Sequence, residues 1–436
     1  MSKLTISSWL LLAGLAITFA GCSSSDEPPA ADPAKAKQRV AQGNQIMVPK
    51  LGLLILSHGT DTSAYDMSGA HALYAEALAA DPNNLDAHFG YSATEIIGLN
   101  KDPQVRSIFL GSLGTVMPVT AVLSGKATPR QISTMTLKAS DFMPESGPLP
   151  MNPGVLVGKY LQRSSSAPFS ATQAIIETKL LPPLADAIAH LQRIAQDPNW
   201  AYYITSRDAG QELTDSVRID LTEVYFLTAI CQGISAEGSF LVAYDVDYDN
   251  TTAAAVTSAW TVSSTFLAFR PQGALRMQNT KSFTVSAATS VQQGINFLMN
   301  ETPHPGVELI PYNPSDGPSL QATVHELDTL KMLFTSPITV QGDFNHDGIP
   351  DNLTLSLASF FDNAVPNFKA KLPAYTVTAE PTGFGTYAAV ITWQATSFSS
   401  WTFPDPTLNG FLPGMTDASF KATFGLARGW TRTWIP

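Results

Sequence analysis

The chain has 436 residues, with 25 Lys plus Arg against 36 Asp plus Glu, a net charge of −11. An acidic balance with no basic block argues against nucleic acid as a partner and against electrostatic docking on anionic lipid. Hydrophobic residues make up 44% of the chain and charged residues 14%, enough for a substantial core in two or three domains or one large helical body.

The N-terminus has the pattern of an export signal. Lys3 supplies a positive start, and the apolar run Trp9 to Phe19 has the length of a signal core. It is shorter than the ~20 residues of an ordinary membrane-spanning helix. The run closes on Phe19-Ala20-Gly21-Cys22, which resembles a bacterial lipobox, with Phe19 where leucine is commoner. The resemblance implies a signal peptide over 1–21, cleavage before Cys22 and membrane attachment through a lipid on Cys22. Ser23, in place of the aspartate of an inner-membrane retention signal, points to the outer membrane. Residues 22–38 are expected to be a polar, flexible tether.

A helical body is expected over 39–335. Its first pattern is Ala70, Tyr74, Ala77 and Pro82, followed by Ala87, Phe89 and Tyr91. Small residues let two helices approach closely, and Pro82 closes the first of them. This spacing resembles a tetratricopeptide (TPR) repeat over about 66–98, running from the second helix of one unit into the first of the next. The resemblance implies a helix pair that packs on further helices and a protein partner.

Further along, Thr172 to Gln196 carries Ile175, Ile176, Leu180, Leu181, Leu184, Ile188, Leu191 and Ile194 at helical spacing, and Pro182-Pro183 should bend or split it. Asp215 to Tyr244 is expected to be a long, central, apolar helix with Cys231 buried as a small hydrophobe. Asp220 and Glu223 look like an ordinary surface pair. Val291–Met299 and Leu320–Phe334 are further helices, and Gly125–Gly158 and Thr302–Pro318 are long loops. Asp245, Asp247 and Asp249 alternate at the expected end of the long helix. A solvated helix end accounts for them better than a second metal site, since the motif is only half present.

The tail, 336–436, changes character. Ile338–Val340, Leu353–Leu357, Tyr375–Thr378 and Val390–Trp393 have strand composition, and Trp393, Trp401, Trp430 and Trp434 crowd the end. The expected architecture is therefore mainly α, a multi-helix body with a TPR-like pair and a small β or irregular C-terminal part.

The most specific chemistry lies in Gly342-Asp-Phe-Asn-His-Asp-Gly-Ile-Pro-Asp-Asn352. Asp343, Asn345 and Asp347 place oxygen at every second residue, Gly348 permits a sharp turn, Ile349 offers its carbonyl and Asp351 a further carboxylate. Calcium takes six to eight such oxygens with little directional demand. Thr354 replaces the final glutamate of an EF-hand, and a strand follows. The stretch resembles the calcium loops of FG-GAP repeats and dockerins, which implies a Ca2+ site on these five residues.

Other motifs are missing. No G-x-S-x-G occurs, His325-Glu326-Leu-Asp328 lacks the second histidine of a zinc-protease helix, and there is no C-x-x-C-H. The sequence thus favours a non-catalytic, lipid-anchored binding or assembly protein of the cell envelope. A glycan- or lipid-binding protein using the aromatic tail is the alternative, with a hydrolase of unrecognised type behind it.

Overall fold

The computed structural model describes residues 31–56, 62–106, 169–205, 208, 216–301, 307–344, 349–372, 374–382, 385–393, 402–424 and 432–435. The signal segment, Cys22, the loop Gly125–Gly158, Asn345, Asp347, Trp401 and Trp430 lie outside them, as do the side chains of Trp393 and Trp434. The described residues are mainly helical, with small antiparallel sheets in the C-terminal part.

Helix α1 spans Pro33–Leu56 and so begins inside the stretch expected to be tether. Proline suits a first helical position because its missing N–H would have no helical partner there. Helices α2 (Ser68–Ala80) and α3 (Leu85–Gly98) form the expected pair. Ala70, Tyr74, Ala77 and Ala87 are fully buried, and Phe89 nearly so, whereas Tyr91 is half-buried. Asn84 caps α3 by accepting a hydrogen bond from the Ala87 N–H at 2.9 Å. Arg39 of α1 reaches Glu76 of α2 at 2.9 Å.

The next helix departs from expectation at its prolines. It runs as α4 (Phe169–Ile175), a π-turn over Ile176–Leu180, then α5 (Leu181–Ile194). The widened turn lets the Leu181 N–H reach the Ile176 carbonyl. Pro182 and Pro183 then fall in the first turn of α5, where no donor is missed. The anticipated bend or split takes the form of a π-bulge between two α segments.

Helix α6 (Leu221–Leu241) is shorter than expected because its upstream flank is strand β2 (Val217–Ile219), paired with β1 (Tyr202–Ile204) and β3 (Val307–Glu308). After α7 (Ala253–Thr261) comes α8 (Gly273–Asn300), much longer than its apolar segment Val291–Met299. Its buried polar side chains are satisfied by neighbours: Ser290 donates to Gln232 at 2.9 Å, and Gln292 donates to the Val324 carbonyl and to Asp328 at 2.8 Å each. Helix α9 (Gly317–Thr335) completes the body.

These helices pack largely in chain order, α1 on α2, α2 on α3, α3 on α5, α5 on α6, α6 on α8 and α8 on α9, with α1 also touching α3. One core joins α3, α5 and α6 through Phe89, Ile96, Leu184, Leu191, Val224 and Cys231, while a second lies among α1, α2 and α3.

The C-terminal part holds the hairpin β4 (Ile338–Gly342) and β5 (Asp351–Leu355), the short helix α10 (Leu357–Asp362), and the antiparallel sheet β6 (Tyr375–Pro381), β7 (Tyr387–Trp393) and β8 (Arg432–Ile435). Leu357 is helical and not strand, because Ser356 caps α10 through its hydroxyl. Helix α11 (Asp417–Phe424) packs Phe420 with Leu353 and Leu412 beneath the hairpin.

Candidate functional site

The hairpin β4–β5 frames the expected calcium loop. Its last paired residues are Gly342 and Asp351, so Asp343 leaves one strand while Asp351 opens the other. Asn345 and Asp347 lie outside the described residues, between Phe344 and Ile349. Of the five expected ligands, the fold therefore brings Asp343, Ile349 and Asp351 to one end of one hairpin. Asp351 Oδ2 is buried without a hydrogen-bond partner, a costly state for a carboxylate oxygen unless a cation satisfies it. That orphan and the oxygen-rich donor set fit a hard cation such as Ca2+. Among the described residues, no three His, Cys, Asp or Glu side chains converge on a common metal position.

The alternating Asp245, Asp247 and Asp249 are spent on local hydrogen bonds. Asp247 accepts from the backbone N–H of Phe169 at 2.9 Å and of Ser170 at 3.4 Å, at the start of α4. Asp245 accepts from the Asp247 N–H, and Asp249 from the N–H and hydroxyl of Thr251. They are turn and cap residues.

A charged cluster that sequence reasoning missed lies where β2 enters α6. Asp220 is the N-cap of α6 and forms a capping box with Glu223: the Thr222 N–H donates to Asp220 and the Asp220 N–H to Glu223, each at 2.8 Å. The Glu223 carboxylate also accepts from the Ile310 N–H at 3.1 Å. The pair is therefore not a surface pair. Arg218 lies 2.8 Å from Asp220, 3.5 Å from Glu308 and 4.0 Å from Glu301, all four side chains largely buried. One guanidinium thus faces several carboxyls. Burial, then the charge of Asp220, pushes the pKa of Glu223 up, and the same two causes in the same order push up that of Glu301. The spacing of Asp220 and Glu223 signals the capping box, but nothing local signals Glu301 or Glu308.

Cys231 is fully buried, and burial pushes its thiol up to about 12. A thiol held protonated in an apolar core is neither nucleophile nor ready ligand.

Another polar network locks the helix pair. Tyr74 donates to Asn44 Oδ1 at 2.7 Å, Tyr202 donates to the same oxygen, and Asn44 reaches Asp208 at 3.5 Å. Strand β1 is thereby tied to α1 and α2. The Asn44 carbonyl oxygen takes both phenols, so the network is structural and leaves no free nucleophile.

In comparison with known proteins, the chain matches no family model, no curated protein and no solved structure.

Proposed function

We propose that the protein is a lipid-anchored binding or assembly protein of the cell envelope, stabilised by calcium and acting without catalysis. The observation that carries the binding role is the stacking of α1, α2, α3, α5, α6, α8 and α9, each on the next. Helix pairs stacked this way build extended surfaces suited to a polypeptide partner, which is also what the TPR resemblance of α2 and α3 implies. The anchor rests on the signal pattern ending at Cys22, and Ser23 supports the outer membrane as its location. Calcium would be held by Asp343, Asn345, Asp347, the Ile349 carbonyl and Asp351, and would supply the hairpin with a fixed turn. The orphaned oxygen of Asp351 supports that assignment. The glycan or lipid alternative depends on Trp393, Trp401, Trp430 and Trp434, whose side chains lie outside the described residues.

Two experiments test this reading. Cells grown with a labelled fatty acid should label the wild-type protein, and Cys22→Ser should abolish both label and membrane retention. Equal retention of the serine variant removes the anchor. For the partner, a photo-crosslinking amino acid at Ala72 or Ala79, exposed on α2, should trap one discrete envelope protein, whereas the same group at exposed Val262 should not. Absence of any adduct along α2 and α3 rejects the binding role of the pair.

A further inference from the structure

Three of the chain's seven histidines gather where α3 meets α2 and α5. The rings follow one another as His71, Tyr91, His190 and His88, with centroids 4.1, 4.4 and 4.8 Å apart. At the end of this row, His88 Nδ1 and His190 Nδ1 face each other at 2.5 Å across the α3–α5 contact.

The protons on these rings are constrained by their other nitrogens. His88 Nε2 lies 3.0 Å from the Pro82 carbonyl. A carbonyl can only accept, so His88 Nε2 carries the proton and Nδ1 presents a bare lone pair. His190 Nε2 points toward Asp186 Oδ1 at 3.8 Å, and Tyr91 donates to Asp186 Oδ2 at 3.0 Å, which steadies that carboxylate. In the metal-free protein His190 Nδ1–H donates to His88 Nδ1, and moving that proton to Nε2, on the Asp186 side, frees both Nδ1 lone pairs. The two nitrogens thus converge on one point, which a proton occupies in the metal-free protein and a cation can take instead.

We propose that His88 and His190 form a two-histidine site for a divalent transition-metal ion of the zinc, nickel or copper class, which ties α3 to α5. In metal centres, a ligating histidine almost always gives its far N–H to a carboxylate or backbone carbonyl. Asp186 and the Pro82 carbonyl are placed for those two roles. Metal–imidazole bonds of about 2.0–2.1 Å in tetrahedral geometry set the nitrogens roughly 3.3 Å apart. The rings must open by less than ~1 Å from their present contact, which two partly exposed side chains permit. Imidazole nitrogen selects zinc, nickel and copper over calcium and magnesium, which prefer oxygen. The local field is mixed. Asp186 and Asp81 favour a cation, while Arg193 opposes one and is itself drawn to Asn83 at 2.8 Å and Gln196 at 3.0 Å. His71 is held by Glu95 at 3.3 Å on the far side of Tyr91 and is not a ligand. With no third described side chain converging there, water completes the shell and the ion is exchangeable. Helices α3 and α5 are joined only through the long segment that includes residues 107–168, so such an ion cross-links parts of the chain far apart in sequence.

The test uses the untagged full-length protein in excess calcium, which keeps the hairpin loop out of the comparison. Zn2+ and Cu2+ are titrated separately, reading melting temperature for zinc and the electron paramagnetic resonance spectrum for copper. The expected wild-type result is a zinc-dependent rise in melting temperature and copper hyperfine structure from two nitrogens. His88→Gln and His190→Gln should each weaken binding at least tenfold and abolish the rise. Asp186→Asn, acting on the position of His190, should weaken it about tenfold while keeping the two-nitrogen signature. Metal-free melts within a few degrees of wild type certify folding, and His190→Gln on the α5 surface serves if His88→Gln does not fold. No stoichiometric binding to wild type, or equal binding to the double variant, overturns the proposal.

Discussion

A Cβ atom added at Gly90 would lie 2.2 Å from the ring of Tyr74. Helix α3 therefore crosses α2 at a distance that the absent side chain sets, and the Tyr74 ring fills the gap. Gly43 of α1 closes the other side, where a Cβ would lie 2.8 Å from the same ring. Gly90→Ala should destabilise the protein by about 1–3 kcal/mol from overpacking, more than the ~1 kcal/mol that alanine gains over glycine within a helix. Gly233→Ala is the control: this exposed position in α6 has nothing within 4 Å of the new Cβ. It should stabilise by ~1 kcal/mol. Opposite shifts in denaturant midpoint are the expected result, and equal shifts would contradict the packing.

Removing the Tyr74 hydroxyl probes the network behind it. Tyr74→Phe deletes one of two phenols on Asn44 Oδ1 and leaves the Tyr202 bond to satisfy that oxygen. The cost should be about 0.5–1.5 kcal/mol. Asn44→Leu strands both phenols in the core and should cost more than the Tyr74→Phe change. Urea melts of the two variants decide the order.

The carboxyl cluster predicts an unusual pH dependence. Glu223 and Glu301 are pushed up to about 8 and about 9, so between the ordinary glutamate range and those values the folded state binds more protons than the unfolded chain. Stability from these groups is fully present at acidic pH and is lost as pH rises through about 8 and about 9. Melting temperature at fixed calcium should fall across that window. Glu301→Gln, a neutral mimic of the protonated acid, should flatten the slope. Parallel wild-type and variant profiles would sink this account.

Calcium dependence is what the proposed hairpin site predicts. If the loop binds calcium a hundredfold more tightly than the concentration supplied, mass action stabilises the fold by ~2.7 kcal/mol. Chelator should lower the melting temperature, calcium should restore it, and magnesium should do so poorly because it requires a tighter octahedron. Asp347→Ala and Asp351→Ala should each erase the response while leaving the helical circular dichroism signal largely intact at low temperature. A wild-type melt indifferent to chelator would reduce the loop to an acidic turn.

Local chemistry in the sequence determined the helix pair, α9 and the strands of the tail. Ala70, Tyr74, Ala77, Ala87 and Phe89 are buried where their spacing put them, because small and aromatic residues at helical intervals have one way to pack closely. The alternation in Ile338–Val340 and Tyr375–Thr378 marked strands for the same reason, since side chains on a strand change face at each residue. Tertiary structure alone decided the length of α8, whose N-terminal half is polar in sequence. Thr280 is buried in that half, and farther along the helix Ser290 and Gln292 are buried with partners on α6 and α9 that no one-dimensional period reveals. It also decided that Asp220 and Glu223 are buried, because Glu301 from the end of α8 and Glu308 from β3 come to Arg218 beside Asp220. His88 and His190 are the extreme case. Each marks one face of its own helix, through Tyr91 and Asp186 one turn away, but their pairing depends on how α5 lies on α3 after a separation of 102 residues. Periodicity reports which side of an element turns inward, whereas the partner that meets it is fixed by packing between elements.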